Sequence, residues 1–263
     1  MLQQATLKKV VSELFRALQS NTQIAPLKNQ WPEMTVDDAY AISMQMLALR
    51  TRHNGEIVIG KKVGITSAAV QDFMGVIQPD FGFLTDAMVY PDGAEINLAA
   101  TLIQPRVEAE IGFILSRDLH GPGVTENDVL DATAAIAPCF EIVDSRIKDW
   151  RIKIEDTIAD NASCGAYVLG GARACAKDHD LSQLHVELRK NGHTLSQGHS
   201  SSVLGNPLTA VAWLANALAS FGHHLRCGEL VLSGSVVTPT PVVAGDLMEM
   251  TLSGVGNATI KFT

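Results

Sequence analysis

The hydrophobic spacing of this chain changes period once, near Gly55, and that change restricts the available folds more than any other feature. Upstream, Leu7, Val10, Val11, Leu14, Phe15 and Leu18 recur every three or four residues, the stripe of an amphipathic helix. A second helix is predicted to start at Thr35, with Asp38 as its capping-box partner. It should turn Ala39, Ile42, Met46 and Leu49 inward and stop near Gly55. Downstream, short β-branched runs between turn residues predict strands at 56–59, 107–115, 140–143, 167–169, 230–233 and 247–252. Two helices interrupt them. One runs from Thr125 to just before Pro138; the other has Asn206 as N-cap, Pro207 in first position and Gly222 just past its end. The segments around Val242–Asp246 and Gly254–Asn257 read as strands joined by tight turns. The predicted class is α+β, a helical part over residues 1–55 packed as a cap on an antiparallel or mixed β core over 56–263.

Composition narrows the function. Apolar residues make up 46% of the chain, enough for a sizeable core, and the net charge is −8. With no Lys/Arg block, such a chain has little electrostatic reason to hold nucleic acid or an anionic membrane. No apolar run reaches membrane-spanning length, and the first residues lack the apolar segment of a secretory leader. Cys139, Cys164, Cys175 and Cys227 show no C-x-x-C spacing and read as reduced, buried thiols. A soluble, cytoplasmic protein is expected.

The stretch Gln104-Pro-Arg-Val-Glu-Ala-Glu-Ile-Gly-Phe-Ile-Leu carries the chemistry. On a strand, Glu108 and Glu110 share one face, about 7 Å apart, while Val107, Ala109 and Ile111 take the other. Glu141 lies in the apolar run Ala-Pro-Cys-Phe-Glu-Ile-Val, where an unpaired carboxylate is costly to bury. One divalent cation shared by all three would relieve both the repulsion and the burial. Oxygen ligands alone suit Mg²⁺ or Mn²⁺; zinc is disfavoured because no His or Cys lies at ligand spacing. Glu-x-Glu is also the ordinary wet face of an amphipathic strand, and the pattern by itself leaves both readings open.

Lys61 and Lys62 face opposite ways if they lie on a strand, so at most one points inward; a solvated strand end is the alternative. An inward lysine would meet a substrate carboxylate or transfer a proton. Asp80, in Gln-Pro-Asp-Phe-Gly, and Ser163, in Asp160-Asn-Ala-Ser-Cys-Gly, sit in sequences that also read as plain turns and loops.

Together, Gly60-Lys-Lys-Val-Gly-Ile-Thr-Ser, Gln78-Pro-Asp-Phe-Gly, Gln104-Pro-Arg-Val-Glu-Ala-Glu, Glu141-Ile-Val-Asp-Ser-Arg and Ala159-Asp-Asn-Ala-Ser-Cys-Gly resemble the 2-hydroxypenta-2,4-dienoate (2-oxopent-4-enoate) hydratases. These belong, with the 4-oxalocrotonate decarboxylases, to the fumarylacetoacetase superfamily, and the resemblance runs from about Thr35 onward. It implies a fumarylacetoacetase-like mixed β-roll behind the helical part, with Mg²⁺ or Mn²⁺ on Glu108, Glu110 and Glu141. It further implies a catalytic, substrate-binding lysine at Lys62 rather than Lys61, a catalytic acid at Asp80 and a substrate-contacting serine at Ser163. The implied reaction is hydration of a small 2-hydroxydienoate in aromatic catabolism. A homo-oligomer and an association with 4-oxalocrotonate decarboxylase are the implied partners. The decarboxylase branch shares most of these motifs but lacks the aspartate of Gln-Pro-Asp-Phe-Gly, so Asp80 favours the hydratase. The carbon–carbon hydrolases of the superfamily use a loop His–Glu pair, and no histidine occurs between His53 and His120. A non-catalytic scaffold subunit is the reading from another class, opposed by the intact glutamates and Lys62.

Overall fold

The computed structural model describes residues 1–263, apart from the side chains of residues 69 and 73. Its helices are α1 (Gln4–Ser20), α2 (Leu27–Gln30), α3 (Val36–Leu49), α4 (Ala68–Met74), α5 (Leu98–Thr101), α6 (Glu126–Ala132), α7 (Ile154–Ala159) and α8 (Pro207–Ala219). The strands are β1 (Val58–Gly64), β2 (Asp80–Thr85), β3 (Val89–Tyr90), β4 (Glu95–Ile96), β5 (Arg106–Leu115), β6 (Thr133–Val143) and β7 (Cys164–Leu169). They continue with β8 (His185–Lys190), β9 (His193–His199), β10 (Leu230–Ser235), β11 (Thr240–Pro241), β12 (Leu247–Leu252) and β13 (Gly256–Phe262).

The strands form two mixed sheets. The larger has the order β2-β1-β10-β5-β6-β7-β3, with β11 pairing β5 at one end. The smaller has the order β4-β13-β12-β8-β9. Three pairs are parallel (β1 with β10, β3 with β7, β4 with β13), where long chain excursions return strands to the same sheet, and the others are antiparallel. Among the described residues no helix is long and apolar enough to cross a membrane.

The N-terminal stripe buries Leu7, Val10, Val11 and Leu14 in the same apolar core as Val107, Ile111, Phe113 and Phe140 of the large sheet. Thr35 and Asp38 cap α3 reciprocally: the Asp38 N–H donates to Thr35 Oγ1 at 3.2 Å and the Thr35 N–H to Asp38 Oδ2 at 3.0 Å. Such a cap contributes about 1 kcal/mol. Asn206 Oδ1 accepts from the Leu208 N–H at 3.0 Å and starts α8, as its sequence predicts.

Three elements depart from the sequence reading. β1 begins at Val58 and continues through both lysines to Gly64, instead of ending at residue 59. Glu56, assigned to that strand by its β-branched neighbours, instead accepts from Arg50 Nε at 2.9 Å and Thr85 Oγ1 at 2.6 Å. The helix from Thr125 ends at Ala132, and β6 passes straight through Pro138. Proline is tolerated there because its carbonyl accepts from Gly170 N–H where β7 has already ended, so its missing donor breaks no ladder bond. Only two of the four thiols are buried: Cys139 and Cys164 are, Cys175 and Cys227 are exposed, and all four are free.

Candidate metal and substrate site

β5 and β6 place the glutamates by register. Glu108 stands directly opposite Glu141, and Glu110 follows two residues along the same face. Like charges opposite each other destabilise a sheet, so this pairing is retained against local preference. One carboxylate oxygen from each of Glu108, Glu110 and Glu141 lies within 4.8 Å of the others. Glu110 and Glu141 are fully buried and Glu108 is half-buried. The amphipathic wet face that the same motif allows is therefore not what forms.

β10 supplies one of the few neutralising contacts. Its register against β5 slips between Leu232 and Ser235, and the Gly234 N–H turns to donate to Glu110 Oε2 at 2.7 Å. Gly234 has φ +108°, and a Cβ there would strike the Thr66 side chain, so only glycine fits. In the sequence Gly234 falls just past the strand predicted over 230–233, so this bulge went unread.

Both lysines of β1 are buried, on opposite faces, which corrects the expectation that at most one turns inward. Lys61 pairs with Glu229 at 2.5 Å; Lys62 points at the glutamates, its Nζ 3.2 Å from Glu141 Oε1. Burial works against the charge on Lys62, but Glu141, Asp80 and Glu108 together outweigh it and hold the ammonium above the usual lysine range.

Asp80 begins β2 opposite Gly64, two residues along β1 from Lys62. A Cβ on Gly64 would collide with Asp80 Oδ1 and come 3.2 Å from Lys62 Nζ. The missing methyl is what lets the carboxylate and the ammonium share this space. Burial raises the Asp80 pKa, Lys62 lowers it and Glu141 raises it again, leaving it at about 6. Burial, then repulsion from Glu141, likewise raises Glu108 and Glu110.

Ser163 lies in a turn in which Asn161, Ala162 and Ser163 all have left-handed backbones, φ 57°, 50° and 54°. Such residues cost about 1–3 kcal/mol each and persist only where surroundings impose them. The surroundings here are explicit. Asn161 acts as a partner for the edge strand β2, accepting from Phe83 N–H at 2.8 Å and donating to Phe83 O at 3.0 Å. A Cβ on Gly82 would strike the Asn161 carbonyl. Arg146 Nε donates to Asp160 Oδ1 at 2.5 Å and its Nη2 to the Asp160 carbonyl at 2.7 Å. The apparent polar loop is thus a buried, anchored turn. Ser163 Oγ lies 3.2 Å from Thr157 Oγ1, and the Thr157 hydroxyl also favours the charged form of Asp80. Thr157, Gly64 and Gly234 were not singled out by sequence reasoning.

The site holds more negative charge than its protein contacts satisfy. Both Asp80 oxygens, both Glu141 oxygens and Glu110 Oε1 are buried without a hydrogen bond among the described residues. A single ammonium cannot balance four converging carboxylates, and leaving buried acceptors unpaired costs about 1–3 kcal/mol each. Oxygen donors at this spacing fit a hard divalent cation such as Mg²⁺ or Mn²⁺.

Residues 58–263 match the family model described as fumarylacetoacetate (FAA) hydrolase C-terminal. The chain is 55% identical over 251 residues to a 2-hydroxyhexa-2,4-dienoate hydratase of Comamonas testosteroni, covering 95% of each. It is 44% identical over 256 residues to a 2-keto-4-pentenoate hydratase of Paraburkholderia xenovorans (strain LB400), covering 97% of this chain and 94% of that one. Among solved structures, 4-oxalocrotonate decarboxylase from Pseudomonas putida G7, complexed with magnesium and adipate, superposes with a TM-score of 0.95. That pair is 34% identical and covers 100% of this chain and 99% of the other.

Proposed function

The chain belongs to the fumarylacetoacetate hydrolase family, and from that premise we propose that it is a metal-dependent hydro-lyase of aromatic catabolism. Its substrate is 2-hydroxypenta-2,4-dienoate (2-oxopent-4-enoate) and its product 4-hydroxy-2-oxopentanoate. The observation that carries the proposal is the set of unsatisfied carboxylate oxygens on Glu110, Glu141 and Asp80, gathered around one buried lysine.

Glu108, Glu110 and Glu141 would hold Mg²⁺ or Mn²⁺, which supplies Lewis acidity toward the substrate's carboxylate and C2 oxygen. The protein's own groups do the rest. Lys62, kept charged by the acids around it, attracts the substrate carboxylate and the C2 oxygen. The 2-hydroxyl gives up its proton and C5 gains one, yielding the 2-oxo-3-enoate; water oxygen then bonds C4 while C3 takes a proton. Asp80, whose burial favours the protonated form more than in an exposed aspartate, shares this proton traffic with Lys62. Ser163 from the anchored turn and Thr157 from α7 offer hydroxyls to the substrate's oxygens. Burial of Asp80 and Lys62 keeps bulk water from competing for these protons.

Decarboxylation of 4-oxalocrotonate is the second reading, favoured by the close superposition on the Pseudomonas putida decarboxylase. Asp80 and the higher identity to hydratases weigh against it. A homo-oligomer, associated with such a decarboxylase, completes the proposal. The test uses purified, Mg²⁺- or Mn²⁺-loaded protein. Metal-dependent loss of diene absorbance with formation of 4-hydroxy-2-oxopentanoate and no carbon dioxide supports the hydratase. Carbon dioxide from 4-oxalocrotonate supports the decarboxylase, and no turnover of either supports a scaffold subunit.

A further inference from the structure

The histidines look scattered in the sequence, yet the fold gathers two of them at the far end of β5 from the glutamates. Leu119 and Leu225 form an isolated antiparallel bridge, with N–H···O distances of 2.9 Å and 3.2 Å. The bridge brings the segment after β5 against the segment after α8. Asp118, His120 and His224 flank it, each offering one ligand atom within 4.8 Å of the others. His223 turns away to pack edge-on against Phe83, so the two adjacent histidines do point apart, and His224 alone enters the cluster.

We infer that Asp118, His120 and His224 form a second metal site, one for a borderline transition cation such as Zn²⁺, Ni²⁺ or Cu²⁺. Asp118 Oδ2 lies 3.6 Å from His120 Nε2 and 3.6 Å from His224 Nε2. A tetrahedral ion with bonds near 2.1 Å holds its donors about 3.4 Å apart, close to these two separations. One further contact preorganises the carboxylate. The Cys227 N–H donates to Asp118 Oδ1 at 2.7 Å, leaving Oδ2 free to turn toward the imidazoles. The two imidazole rings stack at 4.1 Å and 26°, and binding would splay them so that both Nε2 lone pairs meet one ion. Asp118 and His120 are exposed and His224 is half-buried, which leaves room for water or an external ligand at the remaining position.

Donor chemistry separates this site from the first. Two imidazoles and one carboxylate select Zn²⁺, Ni²⁺ or Cu²⁺, whereas the all-carboxylate cluster suits Mg²⁺ or Mn²⁺. A bound ion would clip the segment after β5 to the segment after α8 and leave the buried site free for its own metal.

The test is Zn²⁺ titration of the full chain in excess Mg²⁺, for wild type, His120→Ala, His224→Ala and Glu110→Gln. Wild type and Glu110→Gln should bind Zn²⁺ alike, and each histidine variant should bind at least about tenfold more weakly. Cu²⁺-loaded wild type should show resonance coupling to two imidazole nitrogens, reduced to one in each histidine variant. Mg²⁺-supported turnover of the histidine variants should equal that of wild type. Equal Zn²⁺ affinity in wild type and both histidine variants, or Cu²⁺ coupling unchanged by both substitutions, overturns the inference.

Discussion

Replacing Asp80 with asparagine should stabilise the metal-free protein while abolishing its activity. In the folded chain burial raises the Asp80 pKa, offset in part by Lys62, from an ordinary 3.8 to about 6. At about 1.4 kcal/mol per pH unit, holding that carboxylate charged costs the fold about 3 kcal/mol. The sign follows from proton linkage. Between about pH 4 and pH 6 the folded state binds the proton that the unfolded state has released, so wild-type stability falls as pH rises. Above pH 6 the cost is fully present; below pH 4 it vanishes. Asparagine keeps the shape and carries no charge, so the difference between the proteins should be near zero at pH 4 and grow to about 3 kcal/mol at pH 8. Urea unfolding of EDTA-treated protein, at fixed concentration across that range, measures it. In the same variant hydration should be lost with Mn²⁺ affinity close to wild type. An Asp80→Asn protein no more stable than wild type at pH 8, or a difference independent of pH, would refute the reasoning.

Glu141→Gln should leave a folded protein that binds Mn²⁺ at least about tenfold more weakly in calorimetry and shows no metal-dependent turnover. Gly64→Ala pushes a methyl into Asp80 beside Lys62 and should lower kcat/KM about 100-fold, with the circular dichroism spectrum of wild type. Lys61→Met and Lys62→Met should separate the two lysines. The first strands buried Glu229 and should cost about 3–5 kcal/mol in unfolding experiments, with turnover of the folded fraction kept. The second should lose turnover, because its partners are Glu141, Asp80 and Glu108.

The readable parts of the site were those whose anomaly is local. Glu108 and Glu110 alternate with core residues, and Glu141 interrupts an apolar run, so the pattern marked all three acids while leaving a wet strand face equally open. The choice of Lys62 over Lys61 came only with the resemblance, because each lysine's burial depends on a distant partner. Glu229, which pairs with Lys61, lies 168 residues away. Pro138 misled for the same reason: whether proline breaks a strand depends on where the neighbouring strand ends, which is a matter of β7 and not of β6. Contributions made by a backbone N–H at Gly234, or by an absent Cβ at Gly64, carry little side-chain signature. The pairing of His120 with His224 needed the bridge at Leu119 and Leu225, which no local pattern announces.

Anomalous diffraction from Mn²⁺-loaded crystals addresses the buried charge most directly. The account predicts one manganese peak per chain enclosed by Glu108, Glu110 and Glu141, with metal–oxygen distances of about 2.2 Å. A map with no peak between these side chains, in crystals whose solution sample is active only with Mn²⁺, would contradict it.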